Sequence, residues 1–165
     1  MTAPAAIREK HDGAMGAHGN VRLWLRLLTC ATVIEKRIKR RFADRFGVTL
    51  PRFDVMAALD RHPEGMTMGQ LSQALLVSNG NVTGVVQTLA RDRYVSIAPS
   101  PTDGRASIVR LTQQGRECFA GLADAHHEWI DAMLAGLSRD QRTALYDLLG
   151  ALKHSLAADT GKEEA

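Results

Sequence analysis

Two short helical segments follow one another with barely a turn between them, and each brings its own start signal. Thr67-Met68-Gly69-Gln70 is a capping box, in which the Thr67 hydroxyl and the Gln70 amide each satisfy a backbone N–H that a helix start leaves unbonded. Met66 before it and Leu71 after it have the spacing of a hydrophobic staple. These signals predict a helix from Met68 to about Leu75. After a Leu76-Val77 connection, Ser78 stands where a residue caps the next helix, and Val77 with Val82 repeats the staple spacing. Two helices in such close tandem read as a helix-turn-helix.

The second of these helices sorts into two faces on a 100° wheel. Val82, Val85, Val86 and Leu89 share the face to be buried. Gly80, Gly84, Gln87 and Arg91 lie opposite, flanked by Asn81, Thr83 and Thr88. A glycine inside a helix costs about 1 kcal/mol relative to alanine. Two of them on an exposed face make sense where another surface must come close, and a DNA major groove is such a surface. Asn79, Asn81, Thr83 and Gln87 bring amides and hydroxyls for base edges and phosphates, and the helix start after Ser78 brings its dipole and free N–H groups. Taken alone, SNGNVTG is equally a plain Ser/Asn/Gly-rich helix start. Its neighbours tip the balance.

Tyr94 to Ala98 and Ser107 to Leu111 alternate as strands do, and Pro99 to Gly104 between them is dense in turn residues. The tip, Thr102-Asp103-Gly104-Arg105, puts one arginine on a narrow hairpin, where it suits the concentrated negative potential of a minor groove. Asp103 suits pairing with a nearby cation, Arg91, Arg93 or Arg105 itself. The candidate DNA-contacting set is therefore Ser78, Asn79, Gly80, Asn81, Thr83, Gly84, Gln87, Arg91, Asp103 and Arg105.

Long helices flank this centre. From Val21 to Phe46 no glycine or proline interrupts, and Trp24, Leu27, Leu28, Ala31, Ile34, Ile38, Phe42 and Phe46 form one apolar stripe that Gly47 ends. Thr49 with Pro51 opens a helix to about Asp60 that buries Phe53, Val55, Met56 and Leu59, before a turn over 61–65. Thr112 caps a long helix bearing Phe119, Leu122, Trp129, Ile130, Met133 and Leu137. A second capping box, Ser138 to Gln141, opens a last helix bearing Leu145, Leu148, Leu149, Leu152 and Leu156. The expected class is mainly α (α+β): a winged helix-turn-helix core at about 50–111, dimerisation helices at 21–46 and 112–157, and tails at 1–20 and 158–165.

Composition sets outer limits. A chain of 165 residues is one domain, and its formal charge of +3 with a pI near 9.1 is a mild basic excess compatible with nucleic acid. No apolar run reaches membrane-spanning length and the first 20 residues have no secretory core, so the expected address is cytoplasmic, with no membrane. No phosphate-binding glycine loop, zinc-protease pair or nucleophile elbow occurs, so an enzyme is not expected. Cys30 falls in the apolar stripe of the first helix with no flanking tyrosines or basic N-terminal context, and Cys118 stands beside Phe119; both read as inert thiols. His126 and His127 point about 100° apart and cannot hold one ion, so neither a metal nor a resident cofactor is expected.

The segments LPRFDVMAAL, MTMGQLSQALLVSNGNVTGVVQTLARDRYV and PSPTDGRASIVRLTQQG resemble the MarR family of bacterial transcription regulators, with the resemblance running from about Val21 to Leu156. The last carries the family's wing signature, an Asp two residues before an Arg, then alternating apolar residues and Leu-Thr-x-x-Gly. Ser96-Ile97 departs from it where the family often has charged residues. The resemblance implies a homodimer on a pseudo-palindromic double-stranded operator, with Ser78 to Gln87 as recognition helix, Arg105 in the minor groove, and repression lifted by a small-molecule effector. VRLWLRLLTCATVIEK, FGVTLPRFDVMAAL and LLVSNGNVTG look most like regulators of aromatic-compound catabolism, which implies an aromatic acyl-CoA thioester as effector. Its expected cleft lies under Trp24, Leu27, Leu28 and Phe53, with Arg22 and Arg26 for the phosphates and His62 at a pocket or hinge. Two other readings stay open: a redox- or metal-responsive regulator of the same fold, and a dimerisation module that does not bind DNA.

Overall fold

The computed structural model describes Ile7, residues 18–100 and residues 106–163. In chain order the elements are α1 (Gly19–Phe46), α2 (Leu50–Asp60), β1 (Met66–Thr67), α3 (Met68–Leu75), α4 (Asn79–Arg91), β2 (Val95–Pro99), β3 (Ser107–Leu111), α5 (Gln113–Leu134) and α6 (Arg139–Glu163). The expected mainly helical winged helix-turn-helix is what forms. The chain divides into two units, residues 1–123 and 124–165.

The first unit is built around α2. Phe53, Val55, Met56, Ala58 and Leu59 are all buried, and α2 packs against α1, α3 and α4, whose own buried residues include Ile38 and Phe42, Leu71, and Val82, Val86 and Leu89. Phe53 sits at the centre of an aromatic run, its ring 4.7 Å from Phe42 and 5.6 Å from Phe119. Burying one such side chain contributes about 1.5–3 kcal/mol, so this run anchors α2 firmly. The stop at Gly47 forms as expected: its φ of 62° takes the left-handed conformation, its N–H donates to the Ala43 carbonyl, and the next N–H, that of Val48, donates to the Phe42 carbonyl.

Both capping boxes form. Gln70 N–H donates to the Thr67 hydroxyl at 3.2 Å while Thr67 N–H donates to the Gln70 side chain at 2.8 Å, and Ser138 with Gln141 repeats the pattern at 3.2 and 2.8 Å. Ser78 departs from expectation. It occupies the N-cap position of α4, but its side chain makes no capping bond, and only its carbonyl takes the first helical N–H groups, those of Asn81 and Val82. Val77 is also not a buried staple; it is 44% exposed beside Leu76, which is 91% exposed in a left-handed conformation at φ 54°.

The sheet holds a strand that the sequence reading omits. Its order is β1-β3-β2, with Met66 opposite Val109 and Thr67 opposite Ile108. Two residues carry too little pattern to read as a strand, and their partners come from the far side of α3 and α4. Gly65 makes that pairing feasible: at φ +89°, an added Cβ would stand 2.5 Å from Ile108 and 2.7 Å from the Val109 carbonyl. At the other end of β3, the Thr112 hydroxyl donates to the Arg93 carbonyl at 2.7 Å and accepts the Gly115 N–H at 2.9 Å. It therefore caps α5 and ties the wing base to the end of α4 together.

Two helix ends extend past their expected limits. α1 begins at Gly19, and α6 continues to Glu163 beyond the boundary at 157, in line with the helix-favouring residues of LKHSLAAD. The stripe on α1 is buried only at Ile38 and Phe42; Trp24 is 55% exposed, and Cys30 is exposed as well. Cys30 is thus not the buried thiol its place in the stripe implies. In the second unit, α6 leaves Leu145, Leu148, Leu149, Leu152 and Leu156 open, with Tyr146 78% exposed.

Candidate nucleic-acid interface

The outer face of α4 carries Asn79, Gly80, Asn81, Gly84, Gln87 and Arg91, all exposed, while Val82, Val86 and Leu89 are buried and Val85 is half-buried. A Cβ at Gly80 or Gly84 would meet nothing within 4 Å. No internal contact therefore requires either glycine, and what they leave free is outward space. Thr83 and Thr88 are half-buried, and their hydroxyls donate to the carbonyls of Asn79 at 2.9 Å and Gly84 at 3.0 Å. Those protons are committed to the helix itself, so Thr83 offers outward only a methyl group and oxygen lone pairs. The Ser78 carbonyl takes the N–H groups of Asn81 and Val82, and its side chain caps none of the others, which leaves the start of α4 suited to an anion.

The far end of α4 is fixed by a residue that the sequence reading did not single out. Arg52 of α2 forms an ion pair with Asp92, which follows α4, and its guanidinium lies 5.9 Å from the Tyr94 ring centroid. α4 is thus clamped at its C-terminal end and open at its N-terminal end. Beneath the wing tip, Pro99 opposes Ser107, and Ser100 N–H donates to Ala106 at 2.8 Å, which closes the hairpin base. Asp103 and Arg105 lie outside the described residues, and so does any pairing of Asp103.

Two concavities border the N-terminal half of α4. One is a groove of about 480 Å³ between Thr49, just before α2, with Arg52 of α2 on one side and the Gly80, Gly84 and Thr88 face of α4 on the other. The other, on the opposite side of Asn81, is a cavity of about 520 Å³ among α1, α2, the end of α3 and the start of α4. Its lining is mostly apolar, and Glu35, Lys39 and Asp54 supply the charge. Burial pushes the Asp54 carboxyl up to about 6, with the neighbouring Glu35 charge acting in the same direction and Lys39 against it.

The residues expected around an effector are dispersed. Trp24 is exposed on α1, Arg22, Leu27 and Leu28 are half-buried there, and Arg26 is exposed on the same helix. Phe53 is a core residue within the aromatic run. His62 lies in the turn after α2, 3.2 Å from Glu64, beside a separate surface hollow. None of these residues lines the 520 Å³ cavity. The sequence held one sign of that cavity: Asp54 falls four residues after Leu50, on the same helical face, so it adjoins an apolar patch.

Comparison with known proteins accords with this geometry. The MarR family profile matches residues 46–106. The transcriptional activatory protein BadR of Rhodopseudomonas palustris is 35% identical over 62% of this chain, and the match spans 59% of BadR's length. The HTH-type transcriptional repressor IacR of Pseudomonas putida is 26% identical over 70% of the chain and 69% of its own length. The crystal structure of a MarR family transcriptional regulator from Silicibacter pomeroyi superposes with a TM-score of 0.71 at 31% identity, covering 83% of this chain and 94% of that one. The open face of α4, the wing beside it and these likenesses agree: the chain belongs to the MarR family of transcriptional regulators.

Proposed function

We propose that this protein binds a pseudo-palindromic DNA operator as a homodimer, with the N-terminal half of α4 in the major groove and Arg105 in the minor groove. The carrying observation is the outer face of α4, where two glycines with open space over them sit among Asn79, Asn81, Gln87 and Arg91. Contacts divide by chemistry: Asn79, Asn81 and Gln87 read base edges, while Ser78, the α4 N-terminus and Arg91 hold phosphates. Gly80 and Gly84 let the backbone approach, and Thr83 supplies a methyl contact. Asp103 braces the wing.

Dimerisation is supported by apolar side chains left open within the protomer, Leu23 and Trp24 on α1 and the leucines of α6. A two-fold dimer puts its recognition helices on successive major grooves, about 34–36 Å apart. Small-molecule control of operator affinity completes the reading, with repression as the outcome. The name of BadR, an activatory protein, favours activation as the second reading.

Fluorescence anisotropy on duplexes from the flanking promoter, against scrambled duplexes, tests this, with light scattering on the same sample. Expected are a dimer, preference for one duplex, and affinity that falls steeply with salt. Arg105→Ala is expected to weaken that binding and leave the dimer intact. A monomer, or equal binding to every duplex, would overturn the reading. A promoter reporter then separates repression from activation.

A further inference from the structure

The cavity beside α4 has the size of a small-molecule site, and its chemistry is lopsided. At about 520 Å³ it falls within the range that takes up drug-sized ligands. Leu50, Pro51 and Val55 of α2, Leu75 of α3, and Val82 and Val85 of α4 make it apolar. The charged side chains come from two helices. On α1, Lys39 Nζ lies 2.6 Å from Glu35 Oε1, so that pair is largely neutral. On α2, Asp54 makes neither a hydrogen bond nor an ion pair among the described residues; burial and the more distant charges of Glu35 and Lys39 act on it. The lining residues of α3 and α4 add no charge. A half-buried carboxyl without a donor is a standing cost, which a ligand donor would remove.

We propose that this cavity is an effector site for a small organic cation, an amine on an apolar or aromatic body, held by Asp54 and felt by DNA through α4. The proposal rests on the reading of α4 as the DNA-contacting helix. A cation gains from Asp54 and from the outer side of Glu35. A carboxylate or a phosphate-bearing thioester meets two acids against a single lysine already engaged. Asn81, Val82 and Val85 line the cavity from the first turns of α4, so an occupant that prefers one setting of that helix must change operator affinity by its differential binding. The Asp54 carboxyl, pushed up to about 6 by burial, is mostly ionised at pH 7.5 and mostly protonated at pH 5.

The test is calorimetric titration of the whole chain with 1-naphthylmethylamine, with 1-naphthylacetate and benzoyl-CoA as the anionic arms. The amine is expected to bind, at least tenfold more tightly than either anion. Binding should weaken about tenfold between pH 7.5 and pH 5, because about a tenth of a carboxyl with that pKa stays ionised at pH 5. Asp54→Asn should weaken the amine at least tenfold, and Asn replaces Asp with no change of size. The pH series on the unaltered chain gives the same answer if that variant folds poorly. Anisotropy with the amine present should show operator affinity shifted severalfold. Preference for either anion, or indifference to both pH and Asp54→Asn, overturns the site. Binding by the amine with unchanged operator affinity overturns its coupling to α4. If no duplex binds at all, it is the DNA reading that fails, while the calorimetry still decides the cavity.

Discussion

Glycine serves opposite ends at the base of the wing and on the outer face of α4. At the base it is forced from inside: a Cβ on Gly115 would overlap the Tyr94 carbonyl oxygen, and one on Gly65 would press on β3. On α4 the same residue has empty space around it at both Gly80 and Gly84. One region uses glycine to bring two parts of the chain together; the other keeps it although the fold gains nothing from it. The absence of an internal reason on α4 argues that the reason is external, and both halves of the contrast can be broken by methyl groups.

The largest effect is expected at the wing base. Gly115→Ala drives a methyl group into backbone at the start of α5, where neither side can yield by rotating a side chain. Thermal unfolding should show a loss of about 3 kcal/mol, the upper part of the usual overpacking range. Gly65→Ala should cost a similar amount, because it adds strain at positive φ to the contact with the Val109 carbonyl. Losses below about 1 kcal/mol for both would mean that the wing base is looser than its contacts imply. On α4 the sign reverses. Gly84→Ala should raise stability by up to about 1 kcal/mol while weakening operator binding about tenfold, or about 1.4 kcal/mol. A variant at this position that is stabler and still binds fully would remove the glycine argument for α4.

What could be read in the sequence followed the range of the interactions. Thr67 with Gln70, Ser138 with Gln141 and the stop at Gly47 are completed within four residues, so each was legible as a string. The buried face of α4 was legible for the same reason, apart from the half exposure of Val85. β1 was not, since its partners Ile108 and Val109 enter only after two helices have packed. The cavity was not legible either. Its acids sit on different helices, and neither Glu35, in a run of charges, nor Asp54, between Phe53 and Val55, shows by itself that the two share a space. The stripe that holds Trp24 and Leu27 is ambiguous for a related reason. An apolar stripe has the same spacing whether it lines a ligand cleft, fills a core or awaits a second protomer.

A middle-sized effect separates the first helix of the tandem from the second. Thr67→Ala removes a cap whose hydroxyl is bonded, so unfolding should show a loss of about 1 kcal/mol. Ser78→Ala removes a hydroxyl that makes no capping bond and should cost less than half as much, although it weakens DNA binding if the hydroxyl meets a phosphate. Equal losses of stability at the two positions would mean that Ser78 does cap α4 in solution.

The smallest effect is one of pH. Asp54 holds its proton up to about pH 6 in the folded chain, against a usual value of 3.8. Between those two values the folded chain binds a proton that the unfolded chain has released, so this group favours folding at low pH. Its contribution is whole below about 3.8 and fades as pH rises through about 6. Asp54→Asn abolishes the titration and leaves every other carboxyl in place. The variant's melting temperature, taken relative to the unaltered protein, should therefore be higher at pH 7.5 than at pH 4. Partial exposure of the carboxyl keeps the difference modest, because solvent screens part of the penalty. A difference that does not change between those two pH values would show that Asp54 stands in water, and an acid already solvated has no need of a cation from the cavity.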